Sequence, residues 1–258
     1  MFAHNKIDFH SNRVLKAEFL QEATDYTEEM LGHIYGNYSD GILEGVDITV
    51  NDRYLTVHPG IIKYRGLLYH MDHEEQIPYE HSERKMFLRI RFLEANQYED
   101  NTQYTSEFVL TDTETTFPYE MELGRFVAEK GATLFMDEMD LEGMSVKYNQ
   151  FDIRNVPYAG IGESTLSPKL TLSFGKQLLE KNTENYYDIA FAMQCLNKRS
   201  VEREMIYSYL SKRTGSRAEN LTNEEICKKF LEILRECESG SRQVKKQSPK
   251  PGRRVIVD

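Results

Sequence analysis

The chain has no tryptophan, and its three cysteines (Cys195, Cys227 and Cys237) all fall in the last quarter. An odd number without metal-like spacing excludes a disulfide framework and a cysteine zinc site. It is read as free, mostly buried thiols in a reducing compartment. Apolar runs last only a few residues, too short to cross a bilayer, so no membrane insertion is expected. The start, MFAHNKIDFH, lacks the basic opening and apolar stretch of a secretory signal. These absences together predict a cytoplasmic protein.

What is present is an ordinary polar chain of 258 residues, with a mean hydropathy of -0.60 and a net charge of -10. It is long enough for one large domain or two smaller ones. Sixteen tyrosines and thirteen phenylalanines supply aromatic anchors for a core or an interface. The acidic body argues against general nucleic-acid binding. From Ser239 onward the balance reverses: Arg242, Lys245, Lys246, Lys250, Arg253 and Arg254 face a single acid, Asp258.

Periodicity divides the chain. Phe19, Ala23, Tyr26, Met30 and Ile34 make one apolar stripe that predicts a helix over 16–35. Strand signals follow. Ile42, Val46, Ile48 and Val50 alternate around Gly45, a candidate bulge, and Asn51-Asp52 is a turn. Pro59-Gly60 suits a type II turn with Gly60 at positive φ, and Arg65-Gly66 suits another tight turn. Strand patterns continue at 86–93, 104–110, 119–129 and 133–136, the spacing of an all-β sandwich.

PYAGIGESTLSP, residues 157–168, is small and glycine-rich and reads as a flexible boundary. Helical periods follow. Ser167-Pro168 is an N-cap and N1 pair. Tyr186, Ile189, Met193 and Leu196 form the expected core stripe of a second helix. Val201, Met205 and Tyr209 begin a third, ended by Gly215. Thr222 and Glu225 form a capping box before Ile226, Phe230, Ile233 and Cys237. The reading is α+β: a helix, a mostly antiparallel β-sandwich over 1–160, a small helical bundle over 161–238, and a basic disordered tail over 239–258.

Chemical motifs are sparse. A His70-x-x-His73 pair could chelate a metal, but on a strand its rings point to opposite faces, so it reads as a solvated strand end. Gly160-Ile161-Gly162 lacks the Lys-Ser/Thr ending of a phosphate loop. Glu120, Glu122, Asp137, Glu138 and Asp140 show no pairing of the kind a glycosidase needs. No nucleophile signature occurs. Neither catalytic residues, nor a metal, nor a cofactor is expected. The basic tail reads as a solvated extension or a peptide that docks on an acidic partner, rather than a nucleic-acid arm, since it has no aromatic residue for base stacking.

The order of elements, together with SDGILEGVDITVNDRYLTVHPGIIKYRGLLYHMDHEEQIPY and the strand MFLRIRFLE, resembles the N-terminal module of phage tail and baseplate proteins. The matching residues are Gly45, Val57, Pro59, Gly60 and Gly66. YEMELGRFVAEKGATLF and FDIRNVPYAG, with Asp152 and Arg154, are similar to that module's closing strands and its Asp-x-Arg. IDFHSNRVLKAEFLQE resembles the opening of the shell domain of the type VI secretion baseplate protein, although the Trp-x-Glu-Gly-Met start of that family is absent. The resemblance covers residues 6–165. It implies a non-enzymatic, trimeric subunit of a contractile or phage-like tail baseplate, partnered by other tail or baseplate subunits. Phe19, Tyr26 and Met30 are the expected self-association surface. A carbohydrate-binding or carbohydrate-cleaving sandwich, or a nucleic-acid-associated factor using its tail, are the competing readings.

Overall fold

The residues described in the computed structural model are 14, 16–136, 148–197 and 199–245. The carboxylates Asp137, Glu138 and Asp140 lie outside them, as do Lys246, Lys250, Arg253 and Arg254 of the tail. The chain forms two compact units, Met1–Tyr38 and Ser39–Asp258. In the first, the predicted stripe forms α1 (Ala17–Tyr35).

The second unit is antiparallel sheet in its first half and helical in its second. Six short strands come first: β1 (Gly41–Gly45), β2 (Ile48–Val50), β3 (Tyr54–Val57), β4 (Gly60–Tyr64), β5 (Leu67–Met71) and β6 (Glu75–Pro78). They interleave into two sheets, β1-β4-β5 and β2-β3-β6. Local chemistry makes the turns. The Asn51 side chain accepts from the amides of Arg53 and Tyr54 at 3.1 and 2.8 Å, closing β2 onto β3. Arg65 and Gly66, at φ 47° and 81°, form the two-residue loop of the β4–β5 hairpin, the geometry whose twist matches that of its strands.

The remaining strands are β7 (Lys85–Phe92), β8 (Asn96–Gln97), β9 (Thr102–Gln103), β10 (Ser106–Thr111) and β11 (Glu120–Val127). β7 is the centre of the sheet β10-β7-β11, and its alternation separates two worlds. Leu88, Ile90 and Phe92 join the hydrophobic core, where Phe92 stacks on Tyr64 at 3.8 Å. Phe87, Arg89 and Arg91 face the other way.

The helices are α2 (Pro168–Glu180), α3 (Tyr186–Cys195), α4 (Arg203–Thr214) and α5 (Asn223–Lys245). Their ends follow the expected capping chemistry. Ser167 accepts from the Lys169 amide, Gly215 closes α4 at φ 71°, and Thr222 and Glu225 bond each other's backbone amides. Four rings knit the bundle: Phe174 stacks on Phe230 at 4.0 Å and Phe191 on Tyr209 at 4.1 Å. Each such pair adds about 0.5–1.5 kcal/mol beyond burial.

Four sequence expectations change. The stripe expected to bury α3 is exposed, and Phe191, Ala192, Cys195 and Asp188 are buried instead. The reason is that both faces of α3 are rich in apolar residues, and the bundle took the face whose Asp188 finds internal donors. In α4, Met205 is exposed, while Ile206, Tyr209 and Leu210 fill the core. The tail expected from Ser239 starts within α5, which runs on to Lys245.

The fourth change concerns the glycine-rich boundary, which is bonded at many steps. Ile42 pairs with Tyr158, and Thr165 pairs with Tyr158. The Thr165 hydroxyl donates to the Val201 carbonyl at 2.5 Å, and the Ile161 amide donates to Glu202 at 2.7 Å. Tyr158, Ala159, Thr165, Leu166 and Ser167 are buried. Short residues here are the condition for burial of a chain passing between sheet and helices, rather than a source of freedom. One hydrophobic cluster runs from Ile42 to Leu234 across both halves of this unit.

Candidate functional site

α1 is the most distinctive surface element among the described residues. None of its residues is buried. Phe19, Tyr26 and Met30 are 39, 42 and 46% exposed, and Leu20, Leu31 and Ile34 widen the stripe. The helix also carries Glu18, Glu22, Asp25, Glu28 and Glu29 with no lysine or arginine. Chemically it is an acidic amphipathic helix with an exposed apolar seam.

The turn residues hold the β scaffold, for a reason partly different from the expected one. Gly45 is at φ 68° and pairs with Gly60 across β1 and β4. Gly60 follows Pro59 but does not adopt a positive φ. It is required because a Cβ there would lie 2.4 Å from the Val46 amide nitrogen and 2.5 Å from the Glu44 carbonyl. Gly66, by contrast, has open space around it and is selected by backbone conformation.

The polar face of β10-β7-β11 is the feature that sequence reading missed. Arg89, 1% exposed, donates to the carbonyls of Thr113, Glu114 and Thr115 and to Glu120 at 3.2 Å. Glu120 also accepts from Arg91 at 2.8 and 3.0 Å. Phe87 lies beneath the cations of Lys85, Arg89 and Arg125, each about 5 Å from its ring. Arg125 grips Glu122 through two bonds of 2.6 and 2.9 Å. A hint was available: in KMFLRIRF, Arg89 and Arg91 share one strand face with Phe87. Both carboxylates that a glycosidase reading would use here, Glu120 and Glu122, are thus tied to guanidinium groups.

Further along, Arg154 holds Asp152 through two bonds of 2.7 and 2.9 Å, so the Asp-x-Arg pair is a local clasp. Glu224, at the start of α5, accepts from Asn155 at 2.8 Å and lies 3.5 Å from Arg125. This joins the sheet's polar face to the bundle.

A second buried hub is Asp188 on α3. It accepts from Tyr209, Arg213 and Thr183, each at 2.9 Å, and from the Cys237 thiol at 3.7 Å. Burial and the neighbouring Asp188 raise the Cys237 thiol above its ordinary range, while burial pushes Cys195 and Cys227 up to about 12. None of the three cysteines is in a disulfide. They are protonated and poorly nucleophilic at neutral pH, and Asp188 acts as a bolt between α3, α4 and α5.

Among the described residues the histidines do not converge. His58 bonds Thr49 at 3.0 Å, His81 bonds the Ala132 carbonyl at 2.8 Å, and the exposed His73 pairs with Asp72 at 2.6 Å. Among the described residues, no group of three histidine, cysteine, aspartate or glutamate side chains could hold a metal. Among them also, no helix is long and apolar enough to cross a membrane. Arg242 and Lys245 of the basic cluster lie on α5.

No protein-family model matches the chain, and no curated protein matches its sequence. Among solved structures, it is distantly similar to the crystal structure of TssK, a type VI secretion baseplate protein. The similarity has 8% sequence identity and a TM-score of 0.41, over 93% of this chain and 72% of that one.

Proposed function

We propose that this chain is a non-enzymatic structural subunit of a phage-like or contractile tail baseplate, working through self-assembly and docking to other tail or baseplate subunits. One observation supports this most: α1, 19 residues long, exposes its apolar seam and buries none of its own residues. A helix of that kind is stable chiefly when a partner covers its apolar face. The order of strands and turns that resembles the baseplate module, with Gly45 facing Gly60 and a tight turn at Gly66, supports the same reading. Short connections leave these strands as scaffold, and their conspicuous charges are spent on one another. The test is the native mass of the full chain by light scattering. A stable trimer is expected, and a chain that stays monomeric at high concentration overturns the proposal.

A further inference from the structure

β10 is an outer strand of its sheet, and its free edge is undefended. Its pairing with β7 runs from Ser106↔Phe92 to Thr111↔Phe87 without a shift of register. Just before it, the Leu93 amide donates to the Thr105 carbonyl at 2.9 Å. Antiparallel ladders alternate, so Thr105, Glu107, Val109 and Thr111 bond to β7, and Ser106, Phe108 and Leu110 aim their N–H and C=O groups away from the sheet. Among the described residues no strand pairs with that edge. Phe108 and Leu110 are only half-buried against the core. Natural edges are blunted by proline, lysine, a bulge or an inward charge. β10 has no proline, lysine or bulge, and its one charge, Glu107, is bonded to Arg91. The surroundings are acidic: residues 93–124 carry eight acids and no lysine or arginine. Arg84, Lys85, Arg89 and Arg91 pair with Asp112, Glu114, Glu120 and Glu107. Glu94, Glu99 and Asp100 are left over, and all three are exposed.

We propose that the occupant of this edge is a segment of the chain itself, residues 253–258, added to β10 as a further strand. The sequence RRVIVD suits the place. Val255, Ile256 and Val257 are β-branched, the residue type most at home in strands. Residues 246–252, with Pro249, Pro251 and Gly252, have the composition of a linker from α5. Charge selects the same segment. Arg253 and Arg254, with Lys246 and Lys250 before them, bring positive charge to a stretch that has none of its own. Alternation fits as well: with Val255 and Val257 beside Phe108 and Leu110 on the core face, Arg254 and Ile256 fall on the opposite face beside Glu107 and Val109. Main-chain bonds supply the attachment, and these side-chain pairs supply its selectivity. A nucleic acid would meet only acids here, and a second β10 would bring another acidic stretch against the first. The contact does not rest on the baseplate reading.

The experiment is amide hydrogen exchange of the full chain, read residue by residue by NMR. Glu107 and Val109 are internal controls, because their amides face β7 whether or not the edge is covered. In the wild type the Phe108 and Leu110 amides should exchange at least about tenfold more slowly than in Ile256→Pro, which removes a donor from the added strand. Arg253→Glu/Arg254→Glu should release the same two amides, since it reverses the charge that meets the acidic stretch. The controls should stay protected in both variants, because neither alters a residue of β7 or β10. Equal exchange at Phe108 and Leu110 in the wild type and Ile256→Pro overturns the proposal. Fast exchange in both would leave the edge bare, and slow exchange in both would assign it to another occupant. If either variant disturbs the controls, the other decides.

Discussion

Gly45 and Gly60 face each other across β1 and β4, and neither has room for a side chain. A Cβ on Gly45 would lie 2.3 Å from the Pro59 carbonyl oxygen, and one on Gly60 would meet the backbone of Glu44 and Val46. Because the obstacle is backbone, relaxation has to move a strand. Gly60→Val should cost about 1–3 kcal/mol or more, as overpacking does. His70→Ala and His73→Ala, both on exposed side chains, should fall within about 0.5 kcal/mol of wild type. Denaturant unfolding curves check this, and equal midpoints for Gly60→Val and wild type would refute it.

The Arg89–Glu120 pair is buried on both sides. Removing one charge leaves the other uncompensated, so Glu120→Ala should destabilise by about 3–5 kcal/mol. The double variant Arg89→Met/Glu120→Met should recover only part of that loss. Arg89 also serves three carbonyls of residues 113–115, and these would lose their donors. Full recovery in the double variant would show that the carbonyl bonds contribute little.

For α1, Phe19→Glu/Met30→Glu should convert an oligomer into folded monomers, seen as a drop in light-scattering mass with an unchanged melting profile. The five acids of α1 add a salt signature. If copies meet through this helix, their repulsion is screened as ionic strength rises, so association should tighten with added salt. An unchanged mass in the double variant would remove α1 from the contact.

The thiols give a test of burial. At pH 8 a thiol reagent should label Cys237, which is part-exposed, slowly, and Cys195 and Cys227 only after denaturation. The same burial has a pH consequence. Cys195 and Cys227 ionise near 12 when folded, against an ordinary value of 9.0, so their contribution to stability is intact below pH 9 and is lost as pH rises toward 12. Cys195→Ala/Cys227→Ala should therefore flatten the alkaline fall in stability between those limits. An identical fall would assign it to other groups.

Limited proteolysis distinguishes composition from structure at 157–168. Sequence reading expects cleavage there, because glycine and serine favour exposed, mobile chain. With Thr165 bonded to Val201 and Leu166 fully buried, the expected outcome is resistance of this segment under mild digestion. Early cuts between Gly160 and Ser167 would restore the hinge.

Local rules were legible in the sequence because they act through near neighbours. The α1 stripe, the Asn51 turn, the Arg65-Gly66 hairpin, the Ser167 cap, the Thr222–Glu225 box and the Gly215 stop each depend on residues at most a few positions apart. Which face an element buries is settled by distant partners, and there the sequence was ambiguous. α3 carries an apolar set on either side, and only the arrival of Tyr209 and Arg213 beside Asp188 chose the inner one. β7 alternates in either register, and only the carbonyls at 113–115 and Glu120 made a buried place for Arg89. Glycine at position 60 was legible as necessary, but its reason was not: the sequence suggested a backbone angle, and the tertiary structure supplied a second strand lying against it. Propensity and capping are short-range and were written in the chain itself. Burial of charge and close backbone approach are long-range, and only the folded arrangement decided them.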